Sequence, residues 1–377
     1  LSCFLVGNVK FCASNFFSSS FLAHRTEGKQ TIAALQTFEF NISVKNIIDF
    51  LAHPVRGSEF ESMSSAEKSG LALKKLKEFG YAFNADGQLR KIDEITGEPG
   101  EEPFKFSLFE DHAKNQEHYE KLADQIPDIV YDLLEQNGLS RTYVPEDIPQ
   151  EQATFIFTKP HKLEQPKKLL VIIHGSGYVR AGQWARSLII NNSLDHGTQI
   201  PYIKRAESLG YDILVTNTND NYRNINGESK PIPRVGSASA HARYVWEKYV
   251  MACKPESVAI VAHSYGGAIA MDLANRFTQF FEESVFAIAL TDSAHFQIPG
   301  KAKNVVLDIA CNWVSGSAPL DTEIYTGEGE MRSVSAGHPK HEWTSYSAFE
   351  SVFKFLEDKY EHANALRSGS KKSKKEA

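Results

Sequence analysis

The chain has 377 residues, 42% of them hydrophobic and 23% charged, and a formal net charge of −6. This is a globular composition with material for one large domain plus extensions, or for two domains, and its acidic balance excludes a general nucleic-acid binder. The four cysteines (Cys3, Cys12, Cys253, Cys311) form no CxxC pair, so neither a disulfide framework nor a zinc motif is present, and a reducing compartment is implied.

In chain order, residues 1–65 show little periodicity and end in the polar run SEFESMSSAEKSG. The opening LSCFLVGNV is nine residues of uncharged chain before Lys10, short of a bilayer span and without the basic region that precedes a secretory core. No acidic residue precedes Glu27, a faint transit-peptide trait. The segment is read as disordered or as an unreliable gene start rather than a targeting signal. No later run reaches membrane-helix length, so a soluble chain is expected.

Residues 66–150 read as an N-terminal extension. In LKEFGYAFNADGQLRKID, two short strand-like runs flank Asn84-Ala85-Asp86-Gly87, and Asp-Gly supplies the positive φ angles of a hairpin turn. Tyr119, Leu122, Ile126, Ile129, Val130 and Leu133 then recur at helical spacing. That predicts amphipathic helix, split in two by Pro127 and closed by Gly138.

From residue 153 the pattern changes. The runs ATFIFTK, LLVIIHG, YDILVTNT, SVAIVAHS and VFAIALTDS alternate with helical segments that include TQIPYIKRAESLG, SASAHARYVWEKYVMAC and GGAIAMDLANRFTQF. Strands this uniformly apolar are buried on both faces, as in a parallel sheet with helices on each side. An α/β domain over residues 151–362 is expected, closed by the amphipathic SYSAFESVFKFLEDKY. The basic run 363–377, with Lys371, Lys372, Lys374 and Lys375, reads as a disordered tail.

Such sheets carry their active sites at the C-terminal strand ends, where four features fall. Ala262-His263-Ser264-Tyr265-Gly266 follows the nucleophile-elbow pattern, with alanine meeting the need for a small first residue. Upstream, His174-Gly175-Ser176-Gly177 suits an oxyanion loop. Backbone N–H groups of Gly175 or Ser176, together with that of Tyr265, would hold the developing negative charge. Two acids qualify downstream. Asp321 is preferred, because Asn312-Trp313-Val314 reads as the strand before the histidine-bearing loop; Asp292 is the alternative. SAGHPKHEWTS offers two bases, His338 and His341, in the order Ser, Asp, His of α/β-hydrolases. His174, His263 and His295 are read as hydrogen-bonding histidines, and no metal-ligand spacing or cofactor motif is present.

The segments IIHGSGYVRAGQWARSLIINNSLDHGTQIPYIKRA, VAHSYGG, ALTDSAH, CNWVSGSAPLD and SAGHPKHEWTS closely resemble the Argonaute-binding-protein-two domain family, in its animal cotranscriptional-regulator branch. With FGYAFNADGQLRKI and TGEP, the likeness spans about residues 78–360. It implies an α/β-hydrolase-like fold and a link to Argonaute proteins, chromatin silencing and splicing, in nucleus and cytoplasm. It also implies chromatin- and spliceosome-associated partners, and it places the family's serine on Ser264 and its histidine on His341. Vertebrate relatives carry a long charged insertion where this chain has only residues 223–239, which puts contacts made there in question. Two classes stay open: an esterase- or amidase-type serine hydrolase, with or without a regulatory role, or a catalytically silent scaffold on the same fold. Nucleic-acid contact is expected only weakly, through residues 371–375.

Overall fold

The computed structural model describes residues 65–159, 163–295, 298 and 300–376, and the paired dipeptides Leu5–Val6 and Val9–Lys10. The remainder of the 1–65 segment lies outside the described residues. Residues 1–53 and 54–377 are separate units, and the large sheet with its helices belongs to the second.

The centre of that sheet is built by the runs richest in β-branched and aliphatic residues. Strand β6 (Leu169–Ile173), β10 (Val258–His263) and β11 (Val285–Thr291) are buried at every position, so neither face of these strands meets water. They lie in a nine-stranded sheet with β4 (Ser140–Val144), β5 (Thr154–Thr158), β7 (Asp212–Val215), β12 (Ala310–Val314), β13 (Glu323–Ile324) and β14 (Ser333–Ser335). The order is β13-β14-β12-β11-β10-β6-β7-β5-β4. Six strands from β14 to β7 run parallel, while β13, β5 and β4 pair antiparallel at the edges.

Alternate residues of each strand serve opposite cores. Leu170 and Ile172 pack with Ile203, Val352 and Phe353, while Leu169, Val171 and Ile173 pack with Val245, Ile269 and Val306. Helices therefore cover both faces, the architecture that the apolar strands imply.

The N-terminal region is built of a hairpin and helices, and of the Asp86-Gly87 pair only the glycine has a positive φ. Strands β1 (Tyr81–Phe83) and β2 (Leu89–Ile92) form a hairpin, extended by β3 (Pro99–Pro103), and Gly87 sits at φ 68° in the turn. Helices α2 (His112–Ala123) and α3 (Ile126–Gln136) meet at Gln125, with Pro127 in the first turn of α3. A proline there loses no intrahelical hydrogen bond. Helix α1 (Ser65–Glu78) takes up the end of the polar run SEFESMSSAEKSG. Leu76, Tyr81, Leu89, Leu122 and Ile126 form a small core with Ile189 and Ile190 of the α/β region. The boundary near residue 150 cuts through the sheet, because β4 pairs with β5 along its whole length.

Residues 223–239 hold a hairpin, β8 (Tyr222–Ile225) and β9 (Glu228–Pro231). Its Asn226-Gly227 turn has both residues at positive φ, 55° and 83°, the requirement of a type I′ turn. The terminal helix runs Phe349–Glu376, so its backbone continues through the basic segment that the sequence pattern assigns to a disordered tail.

Candidate active site

Ser264 joins β10 to helix α4 (Tyr265–Arg276), at φ 54° and ψ −122°. A non-glycine residue held there stores roughly 1–3 kcal/mol of backbone strain. The surroundings hold it: its N–H donates to the Thr291 carbonyl at 3.1 Å, and its own carbonyl accepts from Gly267 and Ala294, each at 3.0 Å. The tightest approaches fall at the two glycines that follow. A Cβ on Gly266 would lie 2.6 Å from the Ile173 carbonyl oxygen, and one on Gly267 would lie 1.8 Å from Ser293 Oγ. The GG after the serine is thus a packing requirement of the turn itself.

The HGSG loop lies directly against the serine, since a Cβ on Gly175 would come within 3.0 Å of Ser264 Cβ. Ser176 and Tyr265 are exposed and Ser264 is half-buried, so the site opens to solvent. Two cavities, of about 440 and 380 Å³, are lined by other residues, and Ser264 faces neither.

His341 opens a short 3-10 turn, and its Nδ1 lies 2.7 Å from Asp292 Oδ2. Burial pushes the Asp292 carboxyl up, but hydrogen bonds from His341 and Ser315 outweigh this and hold it below its ordinary value. It therefore stays ionised at neutral pH. An ionised acceptor at Nδ1 fixes the proton on that nitrogen and leaves Nε2 as the free base.

The acid beside the histidine is Asp292 and not the preferred Asp321. Asp321 accepts from Trp313 Nε1 at 3.0 Å and from Ser351 Oγ at 2.5 Å, ties that secure β12 to the terminal helix. His338 also stays apart, stacked on Trp343 with ring centroids 4.8 Å apart. Ser264 and His341 are brought to the same strand ends, but among the described residues no hydrogen bond joins the serine hydroxyl to the imidazole.

His263 does more than the pattern suggested. Its ring lies 4.7 Å from that of His341 and its Nδ1 reaches the Thr291 carbonyl at 2.8 Å. Burial, reinforced by neighbouring His341, lowers its pKa to about 3, so it presents a neutral ring to His341. His174 is likewise lowered to about 4 by burial. His295 turns its Nδ1 to Ser293 Oγ at 2.7 Å. Among the described residues no three His, Cys, Asp or Glu side chains gather as metal ligands.

A family model for the Arb2 domain matches residues 73–307. The chain belongs to the Arb2 domain family. Cotranscriptional regulator ARB2A of Homo sapiens is 40% identical over 336 residues, 74% of this chain and 79% of that protein. Its Mus musculus counterpart is 38% identical over 353 residues, covering 79% and 82%. The ARB2A homolog of Dictyostelium discoideum is 30% identical over 321 residues, covering 75% and 80%. The Arb2 match includes Ser264 and Asp292 and stops before His341. Among solved structures, a histone deacetylase from Saccharomyces cerevisiae aligns with a TM-score of 0.42 and 11% identity, over 63% of this chain and 98% of that one. An alpha-beta hydrolase from Vibrio vulnificus aligns at 0.36 and 15%, over 81% and 97%. These likenesses are too slight to bear on function, and the fold of this Arb2 protein is read from its own strand order.

Proposed function

We propose that this Arb2 protein is a nuclear cotranscriptional regulator whose domain works as a serine acyl hydrolase of esterase or amidase type. The observation that carries the catalytic half is the Asp292–His341 contact beside a strained Ser264. His341 Nε2 takes the Ser264 proton as Oγ attacks the acyl carbonyl, and the oxyanion rests on N–H groups of the Gly175–Ser176 loop and Tyr265. The imidazolium then returns the proton to the leaving alcohol or amine. Water repeats the sequence on the acyl-enzyme and releases the acid. The open Ser264–His341 geometry fits a site at rest, since such bonds often tighten only once substrate is bound.

The regulatory half rests on the relatives named cotranscriptional regulators. Argonaute and chromatin- or spliceosome-associated proteins are the partners that the family resemblance implies, with residues 371–375 as an accessory basic contact. A fluorophosphonate probe tests the chemistry: it should label the folded protein, lose all labelling in Ser264→Ala and most of it in His341→Ala. Folded protein that takes no label would leave the scaffold reading, which the missing Ser264–His341 bond favours. Recovery of Argonaute by wild type and Ser264→Ala alike would separate the regulatory role from the chemistry.

A further inference from the structure

The run Thr216-Asn217-Thr218-Asn219-Asp220-Asn221 follows β7, and the hydrolase chemistry leaves it unused. Four of its six side chains hold backbone. Thr216 Oγ1 donates to the Ile172 carbonyl at 3.0 Å, Asn217 Oδ1 accepts from Ala181 N–H at 2.9 Å, and Asn221 Nδ2 donates to the Val235 carbonyl at 2.8 Å. Asp220 pairs with Arg223 and accepts from Thr154 Oγ1.

Asn219 is the member that reaches the oxyanion loop. Its Nδ2 donates to the Gly175 carbonyl at 2.9 Å and to the Val179 carbonyl at 3.0 Å. Both partners are pure acceptors, so the amide orientation is unambiguous and both of its N–H bonds are used. The Gly175 oxygen also faces His174 Nδ1 at 2.8 Å; with His174 neutral and buried, that nitrogen carries the proton. Two donors therefore grip one carbonyl.

That carbonyl shares its peptide plane with the Ser176 N–H. In a trans peptide the two point in opposite directions, so pinning the oxygen on the β7 side turns the N–H away from it. Gly175 meanwhile packs against Ser264. We infer that Asn219 is a positioning residue, fixing the Gly175–Ser176 peptide so that the Ser176 N–H serves as an oxyanion donor above Ser264. The inference rests on the hydrolase reading for its purpose, though the clamp itself is a separate claim.

The test uses the full-length protein, a fluorophosphonate probe and hydrogen exchange. Asn219→Ala should lower the maximal labelling rate of Ser264 by about tenfold to a hundredfold, the scale of a misplaced reacting group, with the probe's half-saturating concentration unchanged. Asn219→Asp, isosteric but setting an acceptor against two carbonyls, should lower it at least as far. Asn221→Ala, which loosens the same run at Val235, should leave the maximal rate as it is. Amide exchange over residues 175–179 should accelerate in Asn219→Ala and Asn219→Asp and not in Asn221→Ala. Wild-type labelling in folded Asn219→Ala, or an equal loss in Asn221→Ala, would overturn the inference. Should wild type take no label, the hydrolase reading falls and exchange decides the clamp: unchanged protection of 175–179 in Asn219→Ala refutes it, and faster exchange supports it.

Discussion

Asp292 and Asp321 invite comparison because their local surroundings are so alike. Each follows a parallel strand, each has a left-handed backbone (φ 49° and 64°), and each is tied to Trp313. The Asp292 N–H donates to the Trp313 carbonyl at 2.7 Å, while Asp321 accepts from the Trp313 indole. Each also lies beside a residue seated against a glycine: Ser293 on Gly267, Leu320 on Gly337. Their distant partners differ, His341 for one and Ser351 for the other, and Asp292 is the more buried of the two. The role of a strand-end carboxylate is thus set by what the tertiary fold lays across it.

The largest effect should separate the two by chemistry. Asp292→Asn should lower fluorophosphonate labelling of Ser264 by roughly 10⁴-fold, the loss seen when a triad amide selects the wrong imidazole tautomer. Asp321→Asn should leave it unchanged, because Asp321 bonds Trp313 and Ser351 and not the imidazole. Comparable losses in both variants would end the distinction.

The pH dependence of stability should come next and should belong to the Asp292 side. His263 binds its proton only near pH 3 when folded, against an ordinary value of 6.5. Between those values the unfolded chain holds more protons, so stability is full above pH 6.5 and falls as pH drops toward 3. The depressed Asp292 carboxyl acts in the same direction, from its ordinary 3.8 downward. Urea melts from pH 7 to pH 4 should show His263→Asn removing its share of this loss, while buried His174 and His241, lowered to about 4 and about 3, keep theirs and Asp321→Asn removes none.

Packing beneath the two loops gives smaller effects. Gly266→Ala sets a methyl against the Ile173 and His174 carbonyl oxygens, which cannot retreat without moving β6. Overpacking of this kind destabilises by about 1–3 kcal/mol or more, readable as a lower denaturation midpoint. Gly337→Ala should destabilise by about 1–2 kcal/mol, for a left-handed alanine at φ 70° against Leu320.

The smallest is Asp321→Ala, at about 1 kcal/mol for the lost Trp313 and Ser351 hydrogen bonds. A thermal melt should register it while Ser264 labelling holds. A loss well above that would mean that Asp321 secures more than β12.

Local patterning in the sequence determined the strands, the elbow, the glycine-rich loop and the family. Strands buried on both faces must be apolar throughout, and a turn as tight as the one at Ser264 must be flanked by small residues; both demands are written within a few positions of each other. The hairpin at residues 222–231 is equally legible in Asn226-Gly227. What spacing along the chain does not encode is which side chain crosses to which strand end. Asp292 meets His341 from 49 residues away, and Asn219 meets Gly175 from 44. Ser140–Val144 joins a sheet whose pattern starts only at residue 153. In each case only packing of the helices on the sheet brought the partners within hydrogen-bond reach.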